Sequence, residues 1–78
     1  MPTTVTQYRY ITKDMMIQGG ETVIRGTRFP VKSVVFYVLK EGMLPEELVK
    51  EFPQLTLAAI YEALSYYYDH RNEIDSPL

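Results

Sequence analysis

The sequence of 78 residues lacks cysteine and tryptophan and contains a single histidine. Without cysteine, neither a disulfide framework nor a thiolate metal site can form, and we expect no cofactor and no metal. The longest apolar run, residues 34–39, is far shorter than the roughly 20 residues that span a bilayer. The first residues also lack the basic and apolar regions of a signal peptide. The sequence therefore predicts a cytoplasmic protein without a membrane segment.

Charged side chains are present in both halves of the chain but are unevenly divided. Residues 1–40 carry six basic and two acidic side chains, a net charge of +4, whereas residues 41–78 carry two basic and eight acidic ones, a net charge of −6. Such an asymmetry can mark a half that faces a polyanion. The alternative is a solvated surface on which the uneven charges have no partner.

The chain length predicts a single domain over residues 1–78. Alternating aromatic and β-branched residues at 8–12 and 22–24 favour short N-terminal β-strands. The helical patterns that follow them give an α+β, mostly helical fold class. The predicted divisions are a β-rich element at about 8–30, a three-helix, helix-turn-helix-like unit at about 31–72, and a frayed end at 73–78.

The three predicted helices have recognisable ends. The first, residues 31–41, is apolar on nearly all sides and should therefore be the most buried helix. The second begins at Pro45 and ends before Pro53, while Thr56 is a favoured N-cap for the third, which runs to about residue 70 or 72. The short connection between the second and third helices has the spacing of a helix-turn-helix motif.

The third helix carries two apolar stripes at helical spacing. The first stripe is expected to cover the core of the domain, and its members are Leu57, Ile60, Tyr61, Leu64, Tyr67 and Tyr68. The second stripe is left uncovered in this arrangement, and its members are Ala59, Ala63, Tyr66 and His70. Because an uncovered apolar stripe needs a partner, we expect these four residues to form the interface of a homodimer or of a complex with another protein.

A helix-turn-helix reads DNA with the N-terminal residues of its second helix. Gln54 and Thr56 are the polar residues in this region that can contact a base, since the first turn of the helix is otherwise apolar. Arg25, Arg28 and Lys32 in the basic half would then contact the nucleic-acid backbone. The alternative for these three cations is an ordinary surface role or pairing with carboxylates of the acidic half.

Residue patterns typical of catalysis are absent from the sequence. His70 is the only histidine, and no serine stands beside an obvious general base. The glycines between residues 19 and 26 do not have the spacing of a phosphate-binding loop. We therefore expect neither enzymatic activity nor a small-molecule substrate.

Four segments, in the same order along the chain, resemble the signature of the family called domain of unknown function 433. They are Gly20–Val31, with its Gly-Thr-Arg sequence, Gly42–Leu48, Phe52–Thr56 and Ala63–Tyr67. The resemblance implies an N-terminal β element before a helix-turn-helix-like unit, and a role as a VapB-type antitoxin beside a PIN-like ribonuclease toxin. Thr22 and Leu44 depart from the family pattern, which commonly has a proline and a polar N-cap at these positions.

The sequence supports two functional hypotheses. The first is a small dimeric, antitoxin-like DNA-binding regulator, with a PIN-like nuclease as the toxin that it would neutralise. The second is a protein–protein interaction or dimerisation module that does not bind DNA. The acidic helical half favours the second hypothesis, whereas the family resemblance favours the first.

Overall fold

The computed structural model describes residues 8–13 and 20–75, in which a small antiparallel sheet precedes a set of helices. In chain order the elements are β1 (Ile11–Lys13), β2 (Thr22–Ile24), α1 (Val31–Val35), a π-helical segment (Phe36–Lys40), α2 (Pro45–Glu51), α3 (Leu57–Asp69) and α4 (Arg71–Asp75). The predicted α+β, mostly helical class is confirmed. None of these helices has the length and apolar character needed to cross a bilayer.

The two strands pair in an antiparallel register that places Ile11 opposite Ile24, and both side chains are buried. β1 begins later than the predicted strand at 8–12, because the carbonyl of Tyr10 still bonds the N–H of Arg25 after β2 but its own N–H bonds a side chain of α3. The backbone N–H of Tyr10 donates to the carboxylate of Glu62, and the Tyr8 hydroxyl donates to Asp69. The β element therefore lies directly against α3.

A tight turn follows β2 and directs the chain into the helices. Gly26 has a φ of +81°, a conformation that only glycine adopts without strain. The Thr27 hydroxyl donates to the carbonyl of Ile24 at 2.7 Å and accepts from the N–H of Phe29 at 2.9 Å. These two bonds hold the extended segment that leads to Pro30, the residue before α1.

The predicted helix at 31–41 consists of two different parts. In α1 the side chains of Val31, Val34 and Val35 are buried, whereas the π-helical segment that continues it contains no buried side chain. The expectation that this would be the most buried helix is therefore wrong for its second part, where Tyr37 and Val38 pack against the edge of the core and are only partly buried. The Glu41 N–H donates to the carbonyl of Phe36 at 2.9 Å, the wider i to i+5 spacing of a π-helix.

α2 and α3 begin as the sequence predicts. The Glu47 carboxylate accepts a hydrogen bond from the N–H of Leu44 at 2.9 Å, which supplies a cap contact where the leucine side chain cannot. The Thr56 hydroxyl accepts from the N–H of Ala59 at 3.1 Å, so Thr56 is the N-cap of α3. α3 ends at Asp69, and residues 71–75 form α4 instead of the beginning of a frayed end.

The core lies between α1, α2, α3 and the sheet. Its buried members are Ile11, Ile24, Val31, Val34, Val35, Leu48, Leu55, Ala59, Ile60, Ala63, Tyr66 and Tyr67. The buried face of α3 thus combines residues from both predicted stripes. Small side chains at Ala59 and Ala63 allow α1 to approach closely, while Tyr61 and Tyr68 remain exposed.

The prediction that the second stripe forms a free surface for a partner is therefore wrong. Ala59, Ala63 and Tyr66 are buried within the chain itself. Helical spacing predicts that two apolar stripes exist. Which stripe faces the core depends on how closely a neighbouring helix can approach, and spacing alone does not reveal this.

Candidate interaction surfaces

Arg25 holds the β element together, although it was predicted to contact a nucleic-acid backbone. Its guanidinium donates to the carbonyl of Arg9 at 3.1 Å and to the carbonyl of Ile11 at 3.3 Å. The backbone N–H of Arg25 donates to the carbonyl of Tyr10 at 2.6 Å. These bonds orient the guanidinium along the sheet, so a structural role accounts for this residue.

The other two predicted backbone-contacting cations differ from each other. Lys32 forms an ion pair with Glu21, with 3.1 Å between the ammonium nitrogen and the carboxylate oxygen. Arg28 is exposed, and within residues 8–13 and 20–75 its guanidinium makes no ion pair or hydrogen bond. Arg28 is therefore the member of this set whose charge remains available to an external ligand within the described structure.

The predicted base-reading residues lie at the connection between α2 and α3. Gln54 and Thr56 are both exposed, but the Thr56 hydroxyl already accepts the capping hydrogen bond. The first turn of α3 adds Leu57 and Ala58, which are exposed and apolar. This end of α3 therefore offers Gln54 as its one side-chain amide and lacks an arginine that could pair with a base edge.

His70, predicted as an interface residue, is half-buried and belongs to an aromatic cluster with Tyr66 and Tyr8. Its ring stacks on Tyr66 with 4.1 Å between the ring centroids, and Tyr8 packs edge-on against Tyr66 at 4.9 Å. His70 Nδ1 lies 3.1 Å from the carbonyl of Tyr66. The break between α3 and α4 thus uses His70 to close the end of α3.

Glu73 of α4 connects the helices to the sheet. Its carboxylate accepts hydrogen bonds from the Thr22 hydroxyl at 2.5 Å and from the Tyr66 hydroxyl at 2.6 Å, and Lys13 lies 3.6 Å away. Thr22 replaces a proline that is common in the family pattern, and its hydroxyl makes this contact possible. The C-terminal helix is therefore fastened to both strands.

The same contacts shift the pKa values of three groups. The hydrogen bond to Asp69, together with burial, raises the pKa of Tyr8 to about 12. Burial and the hydrogen bond to Glu73 raise the pKa of Tyr66. Burial also acts to raise the pKa of Glu73, but the hydrogen bonds from Thr22 and Tyr66 and the charge of Lys13 outweigh it, and this pKa lies below its ordinary value.

Glu73→Gln is expected to reduce the acid sensitivity of the protein. Because the folded state lowers the pKa of Glu73, its carboxylate stabilises the fold above the ordinary pKa of 4.5, and this contribution disappears as the pH falls through the lowered value. The variant should be less stable at pH 7 and should lose less stability between pH 7 and pH 3, as measured by urea unfolding. Glu46→Gln on α2 is the control, and an equal effect of both changes would contradict the assignment.

The exposed face of α3 consists of residues from the first stripe, which was predicted to cover the core. Leu57, Tyr61 and Tyr68 are 40%, 53% and 58% exposed, and Leu64 beside them is half-buried. A long helix that leaves two tyrosines and a leucine in water presents a large apolar area. The sequence did contain a signal for this arrangement. The second stripe includes Ala59 and Ala63, whose small side chains permit closer contact with a neighbouring helix than the large side chains of the first stripe.

Metal binding receives no support from the described residues. In residues 8–13 and 20–75, no three His, Cys, Asp or Glu side chains lie close enough together to hold an ion. The carboxylate of Glu73 is already occupied by hydroxyl donors and Lys13.

Two comparisons with known proteins give a match for this chain. Residues 11–67 match the family model described as Protein of unknown function (DUF433). The chain is also similar to the crystal structure of a DUF433 member protein from Anabaena variabilis ATCC 29413, with 33% sequence identity and a TM-score of 0.78. That match covers 85% of this chain and 64% of the Anabaena chain, so this chain spans less than two thirds of its relative. No sequence among the curated proteins matches the chain.

Proposed function

The chain belongs to the DUF433 family, and on this basis we propose that it is a small, non-catalytic, antitoxin-like regulator that binds another protein through the exposed face of α3. The observation that carries this proposal is the chemistry of that face. Leu57, Tyr61 and Tyr68 offer the large apolar bodies and polar tips that are enriched at protein interfaces. A helix that reads DNA needs arginine, asparagine or glutamine along this face instead.

The charge around α3 supports a basic partner. Residues 41–78 have a net charge of −6, and α2 places exposed Glu46, Glu47 and Glu51 in the same helical half. A ribonuclease must bind a polyanion and therefore carries a basic surface. An acidic surface complements such a surface in charge. The PIN-like ribonuclease implied by the family resemblance is the partner of this type that we propose.

Tyr61→Glu is expected to weaken binding to a PIN-like ribonuclease encoded beside this chain by about thirtyfold or more, the effect of removing one interface anchor. Isothermal titration calorimetry with the purified nuclease measures the change. Arg28→Ala is the control, because Arg28 lies outside α3 and should leave the affinity unchanged. Failure of the unmodified protein to bind at tens of micromolar, or an unchanged affinity for Tyr61→Glu, would contradict the proposal.

DNA binding is the second candidate function, and two observations favour it. α2 and α3 follow each other with a short connection, as in a helix-turn-helix, and Arg28 is exposed without a partner in the described ranges. If DNA binds, each phosphate contact contributes roughly 0.9 to the slope of log affinity against log salt. Arg28→Ala would then lower that slope, whereas a salt-independent signal in fluorescence anisotropy would remove this candidate.

A further inference from the structure

The π-helical segment separates two open grooves of similar size and opposite charge. The first, here called the basic groove, has a volume of about 610 Å³, and its charged lining residues are Lys32, Lys40, Arg71 and Asp75. The second, the acidic groove, has a volume of about 580 Å³, and its charged lining residues are Glu41, Glu47, Glu51 and Lys50. The charged linings therefore sum to +2 in one groove and −2 in the other, with Lys32 also paired to Glu21 outside the lining.

Two aromatic residues of the π-helical segment belong to both grooves. Phe36 and Tyr37 line each of them, and Phe36 is 47% exposed. The Tyr37 ring packs against the contacting pair Phe29 and Phe52, with ring centroids 6.3 Å and 5.7 Å away, so Tyr37 is fixed by the body of the domain. Phe36 contacts Tyr37 edge-on at 5.5 Å. The result is an apolar ridge with a positive groove on one side and a negative groove on the other.

We propose that this surface is the contact between two copies of the chain, related by a two-fold axis near Phe36. In a two-fold contact, a patch away from the axis meets a different patch of the other copy, and this pairing occurs twice. A residue on the axis meets the same residue of the other copy. The basic groove of each copy would lie against the acidic groove of its partner, with the two Phe36 side chains at the centre. A partner of one charge sign would be attracted by one groove and repelled by the other, which favours a second copy.

The size of the domain is consistent with this arrangement. A chain of 78 residues forms a small core, and small domains without disulfides often gain stability by association. The proposed contact lies on the π-helical segment and on the grooves beside it, whereas the proposed partner-binding face lies on Leu57, Tyr61 and Tyr68 of α3. The two proposals can therefore fail independently.

Sedimentation equilibrium tests the central contact. The unmodified protein should form a dimer at tens of micromolar in low salt and should dissociate as salt is added, because the pairing of grooves is screened. Phe36→Glu should raise the dissociation constant of the dimer by about thirtyfold or more, as expected for a central anchor. Tyr68→Glu, the same change at an exposed aromatic residue of α3, should leave the dimer intact. Urea unfolding establishes that both variants are folded.

A charge exchange tests the pairing of the grooves. In the double variant Lys40→Glu and Arg71→Glu both grooves carry −2, and in the double variant Glu41→Lys and Glu51→Lys both carry +2. Each variant alone should be monomeric, since its grooves repel those of an identical copy. A mixture of the two should form a mixed dimer, which native mass spectrometry distinguishes by mass.

Three results would overturn the proposal. One is a monomer mass for the unmodified protein at 100 µM in low salt. Another is a dimer that survives Phe36→Glu but is lost in Tyr68→Glu, which would place the contact on α3. The third is a mixture of the charge variants in which no mixed dimer forms although both variants are folded.

Discussion

Tyr66→Glu is expected to destabilise the protein by about 3 kcal/mol or more, whereas Tyr61→Glu should change its stability by roughly 0.5 kcal/mol or less. The Tyr66 side chain is 8% exposed, and its hydroxyl donates to Glu73 at 2.6 Å. A glutamate at this position would bring a second carboxylate beside Glu73 and would remove the ring that stacks on His70. Tyr61 lies on the exposed face of α3, where a carboxylate stays in water.

Urea unfolding followed by circular dichroism measures both variants under the same conditions. Native proteins have total stabilities of roughly 5–15 kcal/mol. The urea concentration at the unfolding midpoint should therefore be much lower for Tyr66→Glu than for the unmodified protein. The comparison also decides which side of α3 faces the core. If Tyr61→Glu were the more damaging change, the buried face would be the stripe of Leu57, Tyr61 and Tyr68, and the arrangement of α3 described above would be wrong.

Ile60→Ala is expected to destabilise the protein by about 2–5 kcal/mol, the usual cost of truncating a large aliphatic side chain in a core. Ile60 is fully buried in the cluster that joins α3 to α1 and α2. Its removal leaves a cavity that these short helices cannot fill without moving apart. Leu57→Ala is the matched control, because it removes an aliphatic side chain of equal size from the exposed side of the same helix.

The unfolding midpoints of these two variants should differ clearly. Leu57 is partly exposed, so its truncation removes little buried area and should cost less than 1 kcal/mol by the usual area relation. Equal destabilisation by the two changes would show that Leu57 is also covered, which would conflict with a binding face on α3. Thermal melts at neutral pH are a second measure, independent of denaturant.

Much of the fold could be predicted from the sequence because local signals mark the ends of its elements. Pro45 and Thr56 begin α2 and α3 as expected, and the residues around Gly26 form the turn that leads into α1. These signals depend on the chemistry of a few neighbouring residues, such as the fixed φ of proline or the hydroxyl of an N-cap. The family resemblance rests on the same local motifs and is confirmed by the family model.

The surfaces could not be predicted in the same way because they depend on distances between elements. The sequence shows that Tyr66 and Tyr61 lie on different sides of one helix, but not which side α1 approaches. Nor does it show that the Arg25 side chain donates hydrogen bonds to the carbonyls of Arg9 and Ile11. Arg9 lies sixteen positions before Arg25 in the sequence. Arg25 and Tyr66, which were predicted as binding residues, thus serve the fold, and Tyr61 and Tyr68, which were predicted as core residues, lie on the exposed face.

The division of the first helix into α1 and a π-helical segment separates two kinds of evolutionary constraint. Changes in Val31, Val34 or Val35 act on the core, whereas the residues from Phe36 to Lys40 contribute no buried side chain. Tyr37 and Val38 still pack against the core, so selection can alter the three exposed positions of this segment, Phe36, Leu39 and Lys40, with little cost to folding. In a genome with several related chains, different charges on this segment would act on the dimer contact proposed above and would keep their products from pairing with one another.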